Sequence, residues 1–223
     1  MTSFIIAVSL FVGTHFLMSR LRTRYVARMG ETGFLIFYSA ISLVTFGWML
    51  YRYGTMVPEQ LWVAPSFVRL LTYAGMFLAL VMLAGSLLAP NPSLAVPGMI
   101  DKVQPGRGVL AWTRHPMMWG IALWAVLHTL VNGDTRTLIL CAGMAILALV
   151  GARNIDRKKR IQLGDKWLAV EAQTSFVPFA RQFSGRASMA TLWPGFVPLI
   201  AGAILYALLA YFHAALFGVP AYS

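Results

Sequence analysis

Two kinds of residue in this chain can do chemistry in an apolar setting. The run Thr113-Arg114-His115-Pro116-Met117-Met118-Trp119-Gly120 opens a long apolar stretch, and a second histidine, His128, lies deep inside it. A third, His15, sits in the apolar run Phe11-Val12-Gly13-Thr14-His15-Phe16-Leu17-Met18. Ionisable side chains are costly in hydrocarbon, so an imidazole within a membrane helix marks a functional site. Two neutral imidazoles on different helices are suited above all to metal ligation, and haem iron is the metal that fits a helical bundle. Zinc fits less well, because no Cys, His and carboxylate cluster has the usual close spacing.

Each histidine also has a plainer reading. His115 precedes Pro116 at a natural helix start and can serve as a polar residue of the cap region. His213 follows Tyr211 and Phe212 near the end of the last apolar run, where an interfacial aromatic belt is expected. His128 can bond a backbone carbonyl as a packing residue. Helical spacing puts Gly120, Ile121, Trp124 and Ala125 on its face, and small residues beside Trp124 leave room for a flat cofactor. Arg20, Arg22 and Arg114, at the basic ends of the apolar runs, are the expected partners of haem propionates. Depth leaves two pairings open. His15 is five residues from Arg20, about 7 Å of helix, whereas His128 is fourteen from Arg114, about 21 Å. His128 with His213 matches better in depth and stands as the alternative to His15 with His128.

The elements that must position these residues are membrane helices. Of 223 residues, 59% are hydrophobic and 11% charged, far from the balance of a soluble domain. Six apolar runs approach the roughly 20 residues that span a bilayer: Thr2–Ser19, Gly33–Tyr51, Phe67–Leu88, Pro116–Val131, Thr137–Gly151 and Leu192–Phe217. The fold class is thus all-α, a polytopic bundle forming one domain over residues 1–223. Arg20, Arg22, Arg24 and Arg28 follow the first run, and Lys102, Arg107 and Arg114 follow the third. Arg153, Arg157, Lys158, Lys159, Arg160, Lys166, Arg181 and Arg186 follow the fifth; the opposite loops and nearby helix ends hold only Arg52, Arg69 and Arg136. This bias places the basic loops in the cytoplasm and both termini outside. It also accounts for the net charge of +11 without a nucleic-acid partner, since no groove-reading motif accompanies it.

The cations follow the first apolar run, so that run reads as an anchor and not a cleavable signal. The lone Cys141 allows no intrachain disulfide. Pro90, Pro92, Pro97 and Pro105 predict an extended, helix-free connector over Ala89–Pro105. The cytoplasmic loop, residues 153–190, is expected to begin as an extension of the fifth helix and to break near Gly164 and Pro178.

The runs RHPMMWGIALWAVLHTL and GTHFLMSRLR and the closing TSFVPF resemble the NnrU family of bacterial membrane proteins along essentially the whole chain. The resemblance implies a role in expression or assembly of nitrite and nitric oxide reductase activity in denitrification. The partners would then be the lipid bilayer, haem, and a membrane-bound reductase or hydrophobic small molecule. NnrU proteins are similar in turn to zeta-carotene isomerase, which uses haem b. That similarity implies His15 and His128 as the metal ligands and a haem-dependent polyene cis-trans isomerase as the alternative activity. The isomerase's cysteine, three residues before its second histidine, falls at Ala125. Arg114, His115, Trp124 and Arg20 are the further cofactor-binding candidates.

Arg114-His115-Pro116, Leu163-Gly164-Asp165-Lys166-Trp167 and Phe176-Val177-Pro178-Phe179 are also similar to membrane methyltransferases of isoprenylcysteine and phospholipid amines. This implies a methyltransferase-like membrane fold, with S-adenosylmethionine as a second alternative cofactor. Met118 stands where that motif has tyrosine, and its carboxylate pair falls at Ile155 and Asp156. Losing one carboxylate to Ile155 disfavours binding of a cationic cofactor.

Overall fold

A computed structural model describes residues 1–93 and 99–221. The chain is an all-α membrane bundle of helices α1 (Thr2–Thr55), α2 (Ser66–Leu88), α3 (Val109–Trp112), α4 (Pro116–Asn132), α5 (Thr135–Leu163), α6 (Asp165–Gln173), α7 (Ala180–Phe183) and α8 (Phe196–Phe217). Single 3-10 turns at Met99–Lys102 and Met189–Leu192 complete the described elements. Thr2–Thr55, Ser66–Leu88, Thr135–Leu163 and Met189–Phe217 are each long and apolar enough to cross a membrane. The 17 residues of α4 reach about 25 Å, somewhat less than a hydrocarbon core of about 30 Å.

The first two expected spans form one helical hairpin. Gly30 adopts φ 74°, ψ 172° inside α1, a backbone conformation open in practice to glycine alone. The chain doubles back there, so Arg22 Nη2 meets Glu31 Oε1 at 2.6 Å near the tip. At the far end Arg52 Nη2 donates to Ser3 Oγ at 2.6 Å. Between these, Phe11 packs on Phe46, and Phe4 on Tyr53. Along the first limb Phe4, Val8, Phe11 and Met18 are buried, the three-to-four spacing of one helix face.

α5 packs against α1 on one side and α4 on the other; α2 packs against α4 and α8. Small residues allow the close approaches, as expected between membrane helices. A side chain at Gly120 would lie 2.8 Å from Ala79 O of α2, and one at Gly202 would lie 2.9 Å from Val81 Cα. The space beside Gly120 is therefore filled by α2. At this level of α4 the small residue serves helix packing.

Local signals set the helix ends. Pro116 occupies the first turn of α4, and Gly133 closes it at φ 59°. Gly133 O then accepts from Leu61 N (2.7 Å) and Trp62 N (3.1 Å), tying α4 to the loop before α2. Asp134 caps α5 by accepting from Thr137 N at 2.9 Å. α5 continues well beyond its apolar part to Leu163, as expected of an extended fifth helix, and ends at Gly164. Two expectations are corrected. The last long helix starts at Phe196 and not Leu192, because Pro194 and Gly195 interrupt the helical run. The connector expected to be helix-free contains the 3-10 turn Met99–Lys102, a single turn that its prolines do not forbid. Pro97 lies outside the described residues.

Candidate functional site

The most developed polar constellation lies where α5 leaves its apolar stretch. Arg114 and His115, between α3 and α4, point at Asp156, one turn and more past Gly151 on α5. Arg114 Nε donates to Asp156 Oδ1 at 3.0 Å and its Nη2 to Oδ2 at 2.6 Å, a two-pronged pairing. His115 Nε2 lies 2.7 Å from Asp156 Oδ1. His115 is fully buried, and Arg114 and Asp156 nearly so. The other ring nitrogen, Nδ1, lies 2.8 Å from Ser93 Oγ, whose hydroxyl donates to Arg114 O at 2.7 Å. The His115 ring donates from Nε2 to the carboxylate, so Asp156 holds both the Arg114 guanidinium and the His115 imidazole.

A second carboxylate stands beside Arg114. Glu171 of α6 brings Oε1 to 3.4 Å from Arg114 Nη2, while Oε2 accepts from Arg160 Nε at 2.8 Å. Burial pushes the Asp156 carboxyl up, but hydrogen bonds and charge from His115 and Arg114 outweigh it and hold it below the ordinary carboxylate range. On exposed Arg160, the Glu171 partner raises the guanidinium's proton affinity.

The closing TSFVPF block locks this cluster from outside. Arg114 N donates to Ser175 O (2.9 Å), Thr113 Oγ1 to Phe176 O (2.7 Å) and Phe179 N to Trp112 O (2.8 Å). The Phe176 ring carries Arg114 at 5.6 Å and Arg153 at 5.8 Å from its centroid, cation–π distances. Two of the three blocks behind the NnrU resemblance therefore dock on one another, around Asp156.

The expected haem ligands stand elsewhere. His15 is on the first limb of α1, its ring 4.3 Å from that of Phe11 and 5.4 Å from that of Tyr38. His128 is near the other end of the bundle, stacked on Trp124 at 4.6 Å between centroids. Both are partly buried. His15 Nδ1 bonds Phe11 O at 2.7 Å and His128 Nδ1 bonds Trp124 O at 3.0 Å. A carbonyl partner fixes the proton on Nδ1 and leaves Nε2 with a free lone pair, the tautomer that ligates iron. The donor chemistry of each imidazole therefore fits haem.

The structure does not bring the two together. α5 packs against both of their helices: Val8 of α1 meets Gly143, while Thr129 of α4 lies beside Cys141. From those registers His15 lies roughly eight α5 residues, about 12 Å along the axis, from the level of His128. His213 Nδ1 bonds Val219 O at 2.6 Å. Arg20 is exposed on α1, away from the bonded Arg114–His115–Asp156 group. Among the described residues, no three His, Cys, Asp or Glu side chains form a metal-binding group. Buried Ala125 offers no sulfur, and the Cys141 thiol lies against Thr129.

Sequence reasoning missed Ser93 and Glu171. Ser93 was hidden in a proline-rich connector. Glu171 follows a change of direction at Gly164, so its distance from Arg114 could not be read by counting; the spacing of Glu171 from Arg160 was the only hint.

An all-α membrane protein with a buried Arg–His–carboxylate knot at one end and half-buried histidines along its helices is the class these features define. A profile of NnrU protein matches residues 3–221, and the chain belongs to the NnrU family. It is similar to the chloroplastic 15-cis-zeta-carotene isomerase of Arabidopsis thaliana, at 37% identity over 79 residues, 35% of this chain and 22% of the isomerase. The corresponding Zea mays isomerase is 34% identical over 79 residues, with the same shares covered. The matched stretch thus spans less than a quarter of either isomerase. No solved structure matches the chain.

Proposed function

We propose that this NnrU-family membrane protein binds b-type haem, with His128 as an iron ligand, and supports nitrite and nitric oxide reductase activity from the inner membrane. The observation that carries the haem reading is the tautomer. Both His128 and His15 bond an i−4 carbonyl through Nδ1, which leaves Nε2 available to a metal inside apolar helices. Bound haem would supply redox or ligand-sensing chemistry. The protein's part is to present imidazole nitrogen and keep water away with apolar helices.

The resemblance to zeta-carotene isomerase supports His15 as the second ligand, and matching depth along the helices supports His213. Single alanine variants separate these pairings. Loss of low-spin character in His15→Ala but not His213→Ala supports the first, and the opposite result supports the second. Low-spin haem in His128→Ala contradicts both. The reductase role predicts that a deletion strain loses nitrite and nitric oxide reductase activity and regains it with wild-type protein but not with His128→Ala.

The similarity to 15-cis-zeta-carotene isomerases favours one further reading, a haem-dependent polyene cis-trans isomerase. The alanine at position 125 stands against a cysteine-switched version of that chemistry. Incubating reduced haem-loaded protein with a 15-cis polyene decides it: accumulation of the all-trans product above a haem-only control supports isomerase activity, and its absence removes this reading.

A further inference from the structure

Beside the Arg114–Asp156 knot, a cavity of about 440 Å³ opens between α6 and α7. Arg114 and Glu171 line it deep inside, Ser175 and Phe176 form a wall, and Arg181 and Arg186 reach it from α7 and the turn that follows. Three observations restrict what can occupy it.

The first is an unsatisfied acceptor. Glu171 Oε2 is bonded by Arg160, but Oε1 is buried and accepts no hydrogen bond, with Arg114 Nη2 no nearer than 3.4 Å. A buried carboxylate oxygen without a donor is destabilising, and an N–H group entering the cavity would remove that penalty. The second is the pair of guanidiniums nearer the surface. Arg181 is held in place by its bonds to Ala172 O and Arg186 O. Arg186 is exposed and no carboxylate partners it among the described residues. Arginines so placed recognise phosphate.

The third is the rim. Val177, which lines the cavity, is more than half exposed, and Phe183, next to lining Ser184, is 78% exposed. Apolar and aromatic side chains exposed among arginines, at the end of a membrane bundle, have the composition of a bilayer interface. A ligand matching all three carries an ammonium that enters, a phosphate that stays at the mouth, and an apolar tail along the rim.

We propose that this cavity is a headgroup site for an aminophospholipid. Glu171 Oε1 accepts from the ammonium, Arg181 and Arg186 hold the phosphate, and the acyl chains leave over Val177 and Phe183. No bond is made or broken in this step; the site recognises the lipid. The reading is independent of haem.

The test uses the whole protein in phosphatidylcholine nanodiscs doped in turn with phosphatidylethanolamine or phosphatidylglycerol, with retained lipid counted by native mass spectrometry. Phosphatidylethanolamine should be retained about tenfold over the other two, the scale of one charge-assisted bond. Phosphatidylcholine lacks the N–H donor and phosphatidylglycerol lacks the ammonium. Glu171→Gln should erase the preference over phosphatidylglycerol, and Arg181→Ala with Arg186→Ala should lower retention of every lipid. Arg160→Gln cuts the same Glu171 ion pair from outside the cavity and should leave the preference intact. Equal retention of the two doped lipids overturns the proposal, as does loss of preference in Arg160→Gln. Displacement by soluble O-phosphoethanolamine at concentrations matching the lipid overturns the assignment to a membrane lipid.

Discussion

Replacing Asp156 by Asn should uncouple the end of the bundle that TSFVPF closes. The wild-type carboxylate accepts from Arg114 Nε at 3.0 Å, Arg114 Nη2 at 2.6 Å and His115 Nε2 at 2.7 Å, with only 5% of the residue exposed. Asparagine keeps the shape, but its amide N–H faces a donor and its charge is gone. Buried Arg114 is then left with Glu171, which already serves Arg160. Removing one partner of a buried ion pair costs about 3–5 kcal/mol. The loss should be local before it is global, because Ser175, Phe176 and Phe179 dock on the segment that Arg114 anchors. The assay is denaturation in mixed micelles, read by tryptophan fluorescence, with tryptic cleavage at Arg181 and Arg186 timed in parallel. Cleavage should accelerate before the helices unfold. A loss below about 1 kcal/mol, with unchanged cleavage, would place the pair among surface ion pairs and refute the reasoning. The variant in which Arg114→Met accompanies Asp156→Leu should recover most of the loss, since apolar replacements remove both desolvated charges together.

The same cluster predicts acid sensitivity. The Asp156 carboxyl is depressed in the folded protein, so its contribution is full above the unfolded value near 4 and disappears as pH falls through the folded value. Stability measured between about pH 5 and pH 2 should fall less steeply in Asp156→Asn than in wild type. Gly202→Ala should cost about 1–3 kcal/mol, because its methyl would meet the α2 backbone at Val81, whereas Gly13→Ala meets nothing within 4 Å and should be neutral. Thermal denaturation of the two side by side checks this; equal melting would mean that α2 and α8 are not packed as described. By charge bias, cysteines placed at Arg28 and Lys166 should be labelled from the cytoplasmic face and one at Glu59 from the other. Labelling of all three from one face would contradict that orientation.

The apolar runs were legible because helices in lipid must be nearly continuous in hydrophobicity. Five of the six expected runs lie within helices, the sixth does so from Phe196 on, and the long cationic extension of α5 ends at Gly164 as expected. What stayed hidden depends on chain direction after a break. Gly164 turns α6 so that Glu171 meets Arg114, and Ser93 is brought under His115 from a connector with no periodic pattern. His115 was legible as a polar residue at a helix start, and its burial against Asp156 was not. Arg114 and Asp156 were both singled out in the sequence, but as separate ligands for an anion and a cationic cofactor. In the structure each neutralises the other. Helix spacing placed Gly120 with Trp124 and His128, but it could not tell whether the space beside Gly120 held a cofactor or, as found, the α2 backbone.

The measurement that bears most directly on the proposed function is haem content. The whole protein, produced with ample haem, should purify in mild detergent with close to one haem per chain by pyridine haemochrome, and with a low-spin Soret spectrum. His128→Ala should lose or convert that spectrum while Gly13→Ala retains it. Haem at a few per cent of protein or less, or an identical spectrum in His128→Ala, would contradict the account.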